Sequence, residues 1–202
     1  MTLVLEHWQN VPLRCDRKIP GVGHHNPRVM DLSQRATTAD QQRIEAALDA
    51  LVMPGARILH VGVGNSSLAL RWSKRGVEIT GLTVNERELE HANSLQLSGY
   101  HTSIANKYSD DLDAFTGPYD FIIDNNPASF ACCVLHFEKM LAHYARLLAP
   151  HGLLVTDRQG MYWCYENGPM RLKFEDLQAI AKIYPFSARR LTDDVFALQR
   201  SL

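Results

Sequence analysis

The chain has 202 residues, 46% of them hydrophobic and 21% charged, the balance of one folded domain with a sizeable core rather than of a disordered chain. Its 21 basic and 22 acidic side chains leave a net charge of -1, which argues against a surface built for phosphate contacts. No apolar run reaches membrane-spanning length and the opening MTLVLEHWQN lacks a basic signal-peptide start, so the expectation is a cytoplasmic protein with neither nucleic acid nor membrane as partner.

Residues 1–36 carry Pro12, Pro20 and Pro27 and the turn-rich run IPGVGHHNP, and read as an N-terminal extension able to cover a substrate pocket. Within it His7, Trp8, Arg14, Asp16, Arg17, His24 and His25 offer base or anchoring groups, or simply decorate a surface arm. A helix starts near Thr38, with Thr38 and Gln41 in capping-box spacing and Ile44, Ala47, Leu48 and Leu51 on one face, and Pro54-Gly55 ends it. Then RILHVGV reads as a strand, SLALRWSKRG as a helix, VEITGLTV as a strand, ERELEHANSLQLSG as a helix and HTSIANK as a polar third strand. YDFIIDN is a fourth strand, FACCVLHFEKMLAHYARLLA a long helix and GLLVTD a fifth strand. FEDLQAIAKIY is a helix, and FSARRLT and VFALQR around Thr192-Asp193-Asp194 form an antiparallel hairpin, with Arg189-Arg190 protecting its edge. Strands that alternate with helices need a parallel sheet covered on both faces, so residues 37–202 are expected to form a Rossmann-like, doubly wound α/β domain.

The segment Ile58 to Ser67, I-L-H-V-G-V-G-N-S-S, runs a buried strand into a glycine turn that opens a helix. Gly62 and Gly64 let the backbone turn tightly and approach a ligand, though G-x-G alone is equally a packing turn. The next strand ends GLTVNERELEHA, where a nucleotide fold holds a ribose, and L-L-A-P-H-G-L-L-V leads into strand five. In this order the elements resemble the class I S-adenosylmethionine-dependent methyltransferase family over roughly residues 38–202. L-L-A-P-H-G-L-L-V is similar to that family's L-x-P-G-G-x-L-V turn. The resemblance implies a seven-stranded sheet with the last strand antiparallel and S-adenosyl-L-methionine as cofactor. It places the cofactor against His60, Gly62, Gly64, Asn65, Thr83, Glu88, Tyr108 (near the adenine) and Asp124.

Two family carboxylates are missing, replaced by His60 in the glycine motif and Thr83 at the end of strand two. Cyclopropane-forming lipid enzymes of the family carry a similar G-L-T-L-S with a polar residue five positions after the Thr. By that pattern Thr83 and Glu88 share the ribose; otherwise Glu88 is a solvated first-turn residue favoured by the helix dipole. His60 is either a buried strand-end histidine or a sign that the cofactor amine is wanted uncharged. At the reacting end, Asp124-Asn125-Asn126-Pro127 and the run R-Q-G-M-Y-W-C-Y follow strands four and five. Asn125 and Tyr162 are the catalytic candidates, with Trp163 and Tyr165 read as packing or lid residues. Asn125 offers an amide oxygen to an amine unless it only shapes a turn, and Tyr162 an aromatic face and a phenol.

His136 and His143 share a helix face, and Cys132-Cys133 reads as core packing. With no C-x-x-C or H-E-x-x-H, no metal site is expected. The expected activity is methyl transfer to a small molecule. One alternative is cyclisation of the cofactor itself to azetidine-2-carboxylate and methylthioadenosine; another is a non-catalytic binding partner. The oligomeric state stays open, a homodimer included.

Overall fold

The computed structural model describes residues 3, 5, 8–18, 20–21, 31–165 and 168–201. One sheet holds β1 Arg57–Val61, β2 Glu78–Thr83, β3 Tyr100–Ile104, β4 Tyr119–Asp124, β5 Leu148–Asp157, β6 Phe186–Arg190 and β7 Val195–Arg200. Their spatial order is β3-β2-β1-β4-β5-β7-β6. Strands β1 to β5 run parallel, and β7 enters between β5 and β6 antiparallel to both. The helices among the described residues are α1 Ala39–Leu48, α2 Ser67–Trp72, α3 Glu86–Ser94, α4 Val134–Leu147, α5 Arg158–Tyr162 and α6 Phe174–Ala181. This is the doubly wound sheet that the residue pattern implies, with the reversed last strand that the family resemblance implies.

The period of two along each strand sorts the core into two layers. Ile58, Phe121 and Ile123 face α1, α2 and α3, where Ile44, Leu48, Leu68 and Trp72 cover them. Leu59, Ile122 and Leu154 face α4 and α6, covered by Phe137, Leu141, Leu177 and Ile180. Because β2 flanks β1 on one side and β4 on the other, the chain switches faces between them. A crevice opens at the carboxyl ends of β1 and β4, the place where open α/β sheets hold ligands.

Local details depart from the sequence reading. Thr38 occupies the N-cap of α1 without a side-chain bond, and Gln41 donates to Glu45 at 3.2 Å instead of completing a capping box. The long helix begins only at Val134, because the N–H groups of Val134 and Leu135 donate to the carbonyls of Pro12 and Leu13, both at 3.0 Å. The N-terminal arm therefore caps α4 from outside. Its Leu3, Leu5, Trp8 and Val11 are buried in the α4 layer. Trp8 is held there by Nε1 donating to the Arg171 carbonyl at 2.9 Å and by an edge contact to Phe137. Arg14, Asp16 and Arg17 are exposed, while His7, His24 and His25 lie outside the described residues. At the sheet edge Arg190 lies over the rings of Phe174 and Phe196, and Arg189 donates to Gln199. No helix among the described residues is long and apolar enough to cross a membrane.

Candidate functional site

The crevice is a cavity of 920 Å³ reached by residues of every layer, within the range of small-ligand sites. Its floor is the turn after β1. Gly62 and Gly64 sit at φ +80° and +50°, a left-handed backbone that side chains resist. Among the described residues other than its chain neighbours, no atom lies within 4 Å of where a Gly62 Cβ would be, so space is open on that side of the turn. Asn65 fastens the turn: its Nδ2 donates to the Arg35 carbonyl at 2.9 Å and Thr37 Oγ1 at 3.0 Å, and its Oδ1 accepts from Ser67 N–H.

One wall comes from the end of β2. Asn85 caps α3 by accepting from the N–H groups of Arg87 and Glu88 at 2.9 and 3.4 Å, which fixes Glu88 in the first turn. Thr83 Oγ1 donates to Glu88 Oε2 at 2.6 Å, and the Leu32 N–H donates to Oε1 at 2.9 Å. Glu88 is only 4% exposed and lines the cavity, so it is not a solvated surface residue. Burial raises its pKa, opposed by these hydrogen bonds.

The opposite wall gathers distant residues. His60 is buried beside the cavity with no partner for Nδ1 among the described residues, and desolvation lowers its pKa to about 4, so it is neutral at pH 7. Asn125 Nδ2 donates to Asp40 Oδ2 at 2.6 Å, and its own Oδ1 is buried without a partner among the described residues. Asp40, in the first turn of α1, is a cavity carboxylate that the sequence reading did not single out. The bidentate pair Arg43–Asp157, both bonds 2.8 Å, holds α1 in place above the end of β5. Lys107 also reaches the cavity, with Nζ 2.8 and 2.9 Å from the two oxygens of Asp124 and 3.0 Å from the Asn126 carbonyl. Burial lowers the Lys107 pKa against the opposing pull of Asp124.

Three predicted site residues take other positions. Asp124 does not line the cavity; it lies behind Lys107, fully buried, and also accepts from Tyr144 Oη at 2.8 Å. Tyr108 is fully buried with its hydroxyl on the Pro127 carbonyl at 2.7 Å, away from the lining, because its side chain fills the core under the loop after β4. Tyr162 is 54% exposed, with its ring beside the Arg171 guanidinium at 5.1 Å, so it is not the pocket aromatic. Helix α5 ends there, and the chain beyond it turns Trp163 and Tyr165 into the cavity, where Phe130 contacts both at 5.2 and 5.7 Å. Gly160 makes the turn possible, since a Cβ there would run into the backbone and side-chain oxygens of Asn125. His60, Gly62, Gly64, Asn65, Thr83, Glu88 and Asn125 all line the cavity.

No family model matches the chain, nor does any curated protein sequence. Solved structures do. A TehB-like S-adenosylmethionine-dependent methyltransferase from Corynebacterium glutamicum superposes with a TM-score of 0.58 at 15% identity, over 77% of this chain and 85% of that one. The chain has the class I methyltransferase fold. The S-adenosylmethionine-bound aminopentose methyltransferase CalS10 from Micromonospora echinaspora matches at a TM-score of 0.58 and 16% identity, over 79% of this chain and 88% of that one. The [4+2]-cyclase SpnF matches at 0.56 and 16% identity, over 86% of this chain and 65% of that one.

Proposed function

We propose that the chain is an enzyme that binds S-adenosyl-L-methionine and transfers its methyl group to a small molecule. The observation that carries the reading is the buried Thr83–Glu88 pair at the end of β2, on the wall of a glycine-floored cavity. A carboxylate there accepts hydrogen bonds from the two hydroxyls of a ribose. The open side of the turn at Gly62 fits close approach of the ligand, and Asn125 Oδ1, without a hydrogen-bond partner among the described residues, fits an ammonium. Asp40 provides the negative charge that position 60 lacks, held against Asn125 at 2.6 Å. When bound, the cofactor supplies an electrophilic methyl group on a sulfonium. The faces of Phe130, Trp163 and Tyr165 suit that positive charge. The chain's own contribution is then alignment and exclusion of water, which is where most of the acceleration in such a transfer arises.

Calorimetric titration with S-adenosylmethionine and with its demethylated product tests this. Glu88→Gln is expected to weaken binding roughly ten- to a hundredfold, the loss of one charged hydrogen-bond acceptor. If neither compound binds the wild-type chain at millimolar concentration, the reading fails and a non-catalytic cofactor fold remains. A second reading, cyclisation of S-adenosylmethionine, rests on neutral His60 beside the cavity. Methylthioadenosine together with a ring-bearing amino acid, formed without any acceptor, would support it. Asp40 weighs against it, since a carboxylate near the amine favours the charged form.

A further inference from the structure

Away from the cavity, the N-terminal arm and the start of α4 bring three thiols and one imidazole to a single point. Cys15 Sγ lies 3.3 Å from Cys132 Sγ and 3.5 Å from His136 Nδ1. His136 Nδ1 is in turn 3.3 Å from Cys132 Sγ and 3.1 Å from Cys133 Sγ. All four ligand atoms fall within 4.8 Å of one another, and Cys133 is buried while the other three are half-buried. We propose that Cys15, Cys132, Cys133 and His136 form a structural zinc site.

The donor set and its geometry both point to this ion. Tetrahedral zinc with Zn–S of about 2.3 Å and Zn–N of about 2.0–2.1 Å places its ligand atoms about 3.6–3.8 Å apart. Four of the six separations, 3.1–3.5 Å, sit a few tenths of an ångström inside those edges and the other two are within 4.8 Å, so small side-chain shifts bring the set to size. Three thiolates with one imidazole is a set that selects zinc over harder cations. Four protein ligands leave no open position, which fits a structural ion rather than a catalytic one. The Gly21 N–H donates to Cys132 Sγ at 3.1 Å, the kind of outer hydrogen bond that steadies a metal thiolate. A disulfide is the competing use of these thiols. It would join two of them and leave the third thiol and the imidazole without a role.

Binding would release three thiol protons to solvent and form three Zn–S bonds and one Zn–N bond. The ion would pin Cys15 to the N-terminus of α4, beside the Pro12 and Leu13 carbonyls that already receive its first N–H groups. The same staple fixes the loop after β4, whose Asn125 and Phe130 line the cavity. Chain spacing hides the site, because Cys15 lies 117 residues from Cys132.

Full-length protein purified under reducing conditions should contain one zinc per chain by elemental analysis. Replacement by cobalt should give intense thiolate-to-metal absorption and the visible bands of a tetrahedral ion. Cys132→Ser and His136→Ala should each lose stoichiometric metal, whereas Cys164→Ser, which removes the cysteine outside the cluster, should keep it. Metal-free wild type that gives no tetrahedral cobalt spectrum would overturn the proposal without relying on any variant's folding. So would a Cys15–Cys132 disulfide found by mass spectrometry in protein that binds neither ion after reduction.

Discussion

The two walls of the cavity are built in opposite ways. On the β2 side, Thr83, Asn85 and Glu88 organise one another through bonds between residues two to five apart. On the far side, Asn125 meets Asp40 across 85 positions, Lys107 meets Asp124 across 17, and Thr156 Oγ1 braces the Asn125 carbonyl across 31. One turn and one helix start set the first wall, and only the Leu32 N–H on Glu88 Oε1 comes from a distant segment, 56 residues away. The second exists only once α1, β4, β5 and α5 have packed, so it is the more exposed to damage in the core. Under the proposed function, a ribose would be held mainly by neighbouring residues and the reacting end by the tertiary fold.

The sharpest way to break the far wall is Lys107→Met, which leaves the fully buried Asp124 without its cation. Urea unfolding should register a loss of about 3–5 kcal/mol, largely restored when Asp124→Leu is added. A single variant as stable as wild type would mean that this pair does not hold the wall. Next in size is the response to acid of His60, on the strand between the walls. Its pKa is about 4 in the native protein against an ordinary 6.5, so between these values the unfolded chain binds a proton that the native one refuses. Stability is therefore lost as pH falls from 6.5 to 4, by about 3 kcal/mol, and His60→Asn should flatten that part of the acid-unfolding curve. Parallel curves for variant and wild type would contradict a neutral buried imidazole. The smallest effect is expected on the local wall. Asn85→Ala removes the α3 cap and should cost about 1 kcal/mol, while weakening S-adenosylmethionine binding through the displaced Glu88. Unchanged affinity would detach Glu88 from the ribose.

Legibility followed the same divide. Gly62, Gly64, Thr83 and Glu88 could be picked out because their geometry is a property of one strand–turn–helix unit. Asp40 could not, since an acidic residue in a first helical turn is ordinary dipole chemistry wherever the helix lies. Residue order offers Tyr162, Trp163 and Tyr165 as neighbouring aromatics without separating them, because the short helix α5 is not visible in the run after β5. Once the helix stops at Tyr162, the inward residues are those that follow it. Tyr108 and Asp124 sit on the right strand ends but behind the lining, a matter of depth that residue order does not encode.

From its order of residues alone, this chain determines a doubly wound α/β sheet, the glycine turn after β1 and the carboxylate that follows β2. A composition of 46% hydrophobic residues with near-neutral charge is enough for the core, and the bonds among Thr83, Asn85, Arg87 and Glu88 span only two to five residues. Only the tertiary structure decided that Asp40 faces Asn125, that Trp163 and Tyr165 rather than Tyr162 close the cavity, and that Cys15 reaches Cys132. Each of these contacts joins segments far apart in the chain, and nothing local distinguishes them from alternatives until packing fixes the distance.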